Sequence, residues 1–164
     1  MADIMIRKRK RLRSKDVKAY SEEIERRLGI ASFTADDAVD LAESSEFDVI
    51  FVNGEILAMV YKGMTFLTVR GILKYKPSKK FVTVDMGAVP FVRNGADIMG
   101  PGITDADAEI NAGDMVWIRD VKNLVPLATG ISSVSGEELR KGGKGKVIQT
   151  VHYAGDKLWK NDEK

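Results

Sequence analysis

The sequence has no cysteine and a single histidine, His152, among its 164 residues. Without thiols, disulfide frameworks, thiolate zinc sites and cysteine nucleophiles are excluded, and a reducing, cytoplasmic location is the expectation. A lone imidazole also excludes a multi-histidine metal centre. No stretch approaches the roughly 20 apolar residues needed to cross a bilayer, so no membrane partner is expected. The opening residues MADIMIRKRKRLR have no apolar run behind their charges and do not read as a secretory signal. What remains is 44% apolar and 30% charged residues, the profile of a chain that buries an ordinary core.

An excess of one charge sign is also missing, since 26 Lys and Arg face 24 Asp and Glu. The near-balance hides a sorting along the chain. Residues 1–18 hold eight basic and two acidic side chains, and residues 19–58 hold two basic and ten acidic ones. Residues 59–80 contain Lys62, Arg70, Lys74, Lys76, Lys79 and Lys80 and no acid. Residues 81–135 are net −4 and residues 136–164 net +2. Two concentrated basic segments in a near-neutral chain form a candidate footprint for a phosphate backbone, against the plainer reading of a solvated charged surface.

Local patterns outline the elements. Met5–Leu12 alternates loosely and is compatible with an edge strand or a flexible basic arm. Ser14 reads as the N-cap of a four-turn helix, with Val17, Tyr20, Ile24 and Leu28 on one face and Gly29 as its stop. Ala38–Ala42 is a short strand candidate. In FDVIFVNGEILAMVY, Asn53-Gly54 separates two apolar runs and predicts a hairpin through a type I′ turn. MTFLTVRGILKY is apolar enough for strand or helix, and Thr68–Tyr75 fits a helix ending before Pro77. The polar stretch Tyr75–Lys80 marks a domain boundary, giving domains 1–78 and 79–164. Beyond it, FVTVD predicts a strand, Gly87–Asn94 a short helix closed by Gly95, and ADIMGPGI a strand entering a glycine-proline turn. MVWIRD and LVPLATGISS predict a second hairpin around Val121-Lys122-Asn123. Ser135 with Glu138 is a capping box, Lys146–Tyr153 a last strand, and Trp159 an anchor for the tail.

Catalysis needs a nucleophile with its base, a tuned carboxylate pair or a metal cluster, and none of these stands out. Asp105, Asp107 and Glu109 resemble a calcium loop only superficially, because Ile110 and Val116 occupy the positions of its required glycine and glutamate. KGGKGK at Lys141–Lys146 fits no phosphate-loop register and reads as a mobile basic turn able to touch phosphate. His152 lies in an apolar strand and reads as structural, and Asp36, Asp37 and Asp40 as surface carboxylates. No cofactor and no small-molecule substrate are expected.

The run VDMGAVPFVRNGADIMGPGI, Val84–Ile103, resembles the signature of the PUA domain, an RNA-binding module. The likeness continues through VWIRDVKNLVPLATGISSVSGEELRKGGKGKVIQTVHYAGDKLWK, similar to the second half of that small pseudo-barrel. Upstream, NGEILAMVYKGMTFLTVRGILKYKP resembles the N-terminal domain of the malignant-T-cell-amplified protein family and its archaeal relatives. The resemblance implies an α+β chain, with a small α/β N-terminal domain followed by a PUA-type β pseudo-barrel with short helices.

It further implies RNA binding without catalysis. The family's RNA-facing surface maps onto Gly87, Ala88, Arg93, Asn94, Gly95, Ala96, Asp97, Ile98, Met99, Gly100, Pro101 and Gly102, and accepts a duplex stem with a single-stranded 3′ end. Glycines there let a backbone approach, Arg93 suits phosphate, and Ile98 or Met99 suits an unstacked base; turn geometry and core packing are the plainer roles for the same residues. Because residues 81–135 are net acidic, Lys74, Lys76, Lys79 and Lys80 are expected to supply most of the phosphate attraction, helped by Lys144 and Lys146. The implied task is translation initiation or ribosome recycling, holding a tRNA 3′ end or rRNA, with the small ribosomal subunit and an initiation-factor-like protein as partners. The rival is an accessory subunit of an RNA-modification enzyme of the pseudouridine synthase or transglycosylase type. A modification enzyme acting through Asp85 or Asp97 is disfavoured, since about 80 residues remain outside the PUA portion.

Overall fold

The computed structural model describes residues 5–161. The chain divides into two compact units: one runs to Ser78 and takes in the segment from Lys157, and the other is Lys79–Asp156. The segment assigned to the second domain by its sequence position therefore belongs with the first.

In the first unit, β1 (Arg7–Arg11), β2 (Val39–Glu43), β3 (Asp48–Val52), β4 (Glu55–Tyr61) and β5 (Met64–Leu67) form one antiparallel sheet in chain order. The basic segment is thus an edge strand, paired through Arg11 with Asp40. Asn53 and Gly54 adopt φ of 51° and 90°, which closes the β3–β4 hairpin, and Lys62-Gly63 repeats the device with 49° and 78°. Helix α1 (Ser14–Leu28) buries Val17, Ile24 and Leu28 and ends on left-handed Gly29. Its cap differs from expectation: the chain leaves β1 still extended, so Arg13 holds the N-cap position with no side-chain bond and Ser14 is already helical. MTFLTVRGILKY divides at Thr68, whose hydroxyl donates to the Ile56 carbonyl (2.9 Å) and accepts from the Gly71 N–H, starting α2 (Val69–Tyr75). Gly71 sits against β4, where an added Cβ would lie 2.0 Å from the Leu57 oxygen. The Glu23 carboxylate ties α1 to β5 through the Thr65 N–H (2.8 Å) and hydroxyl (2.9 Å). A short helix, α5 (Lys157–Asn161), completes this unit, with the Arg70 guanidinium 3.8 Å over the Trp159 ring.

The second unit is a six-stranded mixed sheet in the order β7-β11-β10-β9-β6-β8. Its strands are β6 (Phe81–Val84), β7 (Ile98–Met99), β8 (Ile103–Ala106), β9 (Met115–Asp120), β10 (Pro126–Ser132) and β11 (Lys146–Tyr153). β9 and β10 form the expected hairpin, whereas β6 and β9 pair in parallel. Helix α3 is shorter than its pattern suggests, Val89–Arg93, and α4 (Gly136–Arg140) starts on the Ser135 hydroxyl, which accepts from the Glu138 N–H. After β7 a single 3₁₀ turn, Gly100–Gly102, leads into β8, a strand whose polar DADAE continuation masks it in the sequence. Val82, Val84, Val92, Ile98, Val116 and Ile118 anchor the core. His152 is buried there, with Nδ1 2.8 Å from Asp156.

Candidate nucleic-acid interface

The segment from β6 through the 3₁₀ turn folds back on itself and leaves a cleft of about 630 Å³ on the second unit. Its volume falls in the range, about 300–1,000 Å³, that encloses a small organic group. Two hydrogen bonds set its rim. The Asp85 carboxylate accepts from the Ala88 N–H (2.9 Å), fixing the entry to α3, and the Asp97 carboxylate accepts from the Thr150 N–H (2.9 Å), fixing β7 beside β11.

Of the residues singled out in the sequence, Gly87, Ala88, Ala96, Asp97, Ile98, Met99, Pro101, Gly102 and Lys146 line this cleft together. Ile98 is 2% exposed and forms its floor, while Met99 stands half out of the protein. Arg93 and Asn94 end α3 and are exposed, outside the lining. Gly95 and Gly100 have other duties. Gly95 needs φ of +85°, and a Cβ there would lie 2.6 Å from the Tyr153 ring. At Gly100 a Cβ would meet the Gly142 and Gly143 carbonyls at 2.7 Å each, and its N–H donates to the Gly145 carbonyl at 2.9 Å. The glycine-lysine turn therefore packs against the 3₁₀ segment, and Lys146, which follows it, lines the cleft, while Lys144 within it is exposed. Lys146 Nζ lies 3.5 Å from Asp97.

The boundary lysines separate into two kinds. Lys80 is engaged within the fold: its ammonium lies 2.6 Å from the Asp114 carboxylate, its side chain is only 16% exposed, and it also donates to the Glu109 carbonyl. Lys79 is open, with Glu109 at 4.0 Å. Lys74 and Lys76 are exposed and belong to the first unit, Lys76 in a left-handed conformation that ends α2. Arg119 stacks 3.8 Å over Phe81 and donates from Nε to the Thr83 hydroxyl (2.9 Å), so it serves the fold. Burial there lowers its guanidinium below the usual range, opposed by Asp105.

Phe91 was missed. It lines the cleft with its ring 67% exposed. The signal was present, because Val89 and Val92 take the buried face of α3 and a residue between them at position 91 must point away.

Comparison with known proteins places these features. Residues 80–154 match the PUA domain family. An uncharacterized protein of Methanocaldococcus jannaschii is 38% identical over 160 residues, covering 94% of this chain and 96% of the relative. Malignant T-cell-amplified sequence 1-B of Xenopus laevis is 33% identical over 128 residues, covering 75% and 71%. The chain belongs to the malignant-T-cell-amplified sequence family of PUA-domain proteins. Translation machinery-associated protein 20 of Saccharomyces cerevisiae is 32% identical over 114 residues, 66% of this chain and 63% of that relative. Among solved structures, a hypothetical protein of the hyperthermophile Pyrococcus horikoshii superposes with a TM-score of 0.82 at 32% identity, covering 94% of this chain and 99% of that one. The α+β fold expected from the family resemblance, a small α/β N-terminal domain followed by a PUA-type domain with short helices, agrees with the observed mixed fold of two sheets and five helices.

Proposed function

We propose that this family member binds RNA through the cleft of its second unit, taking the 3′ end of a tRNA acceptor stem, or an rRNA, during translation initiation or ribosome recycling. The convergence of Gly87, Ala88, Met99, Pro101, Gly102 and the exposed Phe91 around one opening carries the reading. A small-residue rim admits a sugar-phosphate strand, and an aromatic face beside an apolar floor supports an unstacked base. Arg93, Lys79, Lys144 and Lys146 supply cations on the same unit. The yeast relative's name, which associates it with the translation machinery, supports the setting. The small ribosomal subunit and an initiation-factor-like protein are the partners this role calls for, and the chain acts by binding, without catalysis.

The test is fluorescence anisotropy with an acceptor-stem minihelix ending in a single-stranded CCA, against the same stem with those nucleotides removed. Removal is expected to weaken binding at least tenfold. Equal affinity for the two would refute 3′-end recognition. RNA crosslinked to the protein in cells should then be enriched in tRNA acceptor ends or small-subunit rRNA.

A further inference from the structure

The cleft uses none of the eight basic side chains between Arg7 and Lys18, although this is the densest positive charge in the sequence. All five residues of β1 are exposed, as are Arg13, Lys15 and Lys18. Among the described residues Lys10, Arg13, Lys15 and Lys18 have no acidic partner. Edge strands commonly carry lysine to discourage pairing with another sheet. That accounts for Lys8 and Lys10, but Arg13, Lys15 and Lys18 lie beyond the strand.

Arg9 and Arg11 show a further order. Both direct Nε at one carboxylate, Asp40, at 2.8 and 2.5 Å, and Arg9 also lies 3.7 Å over the Phe51 ring. Burial alone would raise the Asp40 carboxyl; the hydrogen bonds from Arg11 and Arg9 outweigh it and hold the group ionised below the usual carboxylate range. Asp40 engages each guanidinium by its Nε, which orients two planar forks and leaves their terminal amino groups for another partner. Such forks match phosphate oxygens two at a time. On α1, Lys15 and Lys18 flank a groove of about 410 Å³ with Ser14, Ser21, Phe33 and Thr34.

We propose that β1 and the first turns of α1 form a second RNA surface, separate from the cleft, that grips the phosphate backbone of a duplex without reading its sequence. A lipid surface would need an outward apolar stripe, and the stripe of α1, Val17, Ile24 and Leu28, is buried. An acidic protein would satisfy the charges but would not need the paired forks that Asp40 holds.

The probe is a short blunt-ended RNA duplex with no single-stranded end, titrated with the full chain at several salt concentrations. The variant combines Lys10→Gln, Arg13→Gln, Lys15→Gln and Lys18→Gln, all at exposed positions without ion pairs, so folding is preserved and is checked by thermal unfolding. At about 0.9 per phosphate contact, the salt slope is expected to become shallower by three to four units, removing roughly a hundredfold of the affinity loss between 50 and 200 mM salt. Phe91→Ala should leave duplex affinity within twofold. An unchanged slope in the quadruple variant would overturn the proposal, as would failure of the unaltered chain to bind the duplex. Equal loss of duplex binding in Phe91→Ala would assign the duplex to the cleft instead. Binding to phosphatidylserine vesicles that the quadruple variant abolishes, without RNA binding, would assign the surface to membranes. Because the blunt duplex lacks a 3′ overhang, failure of end recognition in the cleft leaves this outcome untouched.

Discussion

Replacing Phe91 by alanine separates recognition from stability, because the fold holds that ring in water. A fully buried phenylalanine costs about 3–5 kcal/mol to truncate. With the Phe91 ring 67% exposed, only about a third of its surface is at stake, so a loss near 1 kcal/mol is expected. For a unit of this size that lowers the unfolding temperature by at most about 8 °C. A base stacked on the ring contributes about 1–3 kcal/mol, so Kd for a CCA-ended stem should rise roughly 5- to 150-fold. Phe91→Trp preserves a stacking face and should bind within a few-fold of the original. The measurement is anisotropy at fixed salt, paired with a melting curve for each variant. If the alanine variant melts as expected and binds the stem with unchanged affinity, the aromatic platform is not part of the interface and the cleft argument loses its central element.

Three further outcomes follow from the same geometry. Lys80→Gln breaks a partly buried ion pair with Asp114 and should cost about 1–2 kcal/mol in a urea titration; the salt slope of RNA binding should not move, and a slope reduced by about one unit would return Lys80 to the interface. Gly71→Ala would stabilise an isolated helix by about 1 kcal/mol, yet here the new Cβ would meet the Leu57 carbonyl at 2.0 Å, so a loss of about 1–3 kcal/mol and a lower urea midpoint are expected. For Glu23, partial burial raises the carboxyl, but hydrogen bonds from the Thr65 N–H and hydroxyl and from Arg27 outweigh it and hold it below the usual range. The unfolded chain therefore takes up that proton first, and the stabilisation is present above about pH 4 and disappears as pH falls through the folded-state value; Glu23→Gln should flatten the acid limb of a stability–pH curve, and an unaltered limb would contradict the assignment.

What could be read from residues alone depended on range. The Asn53-Gly54 hairpin was legible because two adjacent residues with positive φ set it. The Thr68 helix start and the Ser135 cap were equally local. Ser14 misled because a serine before an apolar period is a good cap only if the chain is free to turn there, and β1 brings it in extended through Arg13. The family resemblance names Gly87–Ala88 and Ala96–Gly102 as one surface; that Gly87, Ala88, Ala96–Met99, Pro101 and Gly102 line a single cleft is visible only in the fold. The fate of Lys80 could not be read, because Asp114 lies 34 positions away, and neither residue carries a local sign of the other. The same distance problem hid the packing of Gly100 on the glycine-lysine turn, which looked mobile from composition.

The return of Lys157–Asn161 to the first unit sets an order of events during synthesis. The second unit is one uninterrupted stretch, so all its strands are available once the ribosome has released residues through Asp156. The first unit, begun earlier, waits for a helix encoded after its neighbour is complete. The earlier-made sheet therefore spends the whole of that interval without the Trp159 ring that Arg70 covers.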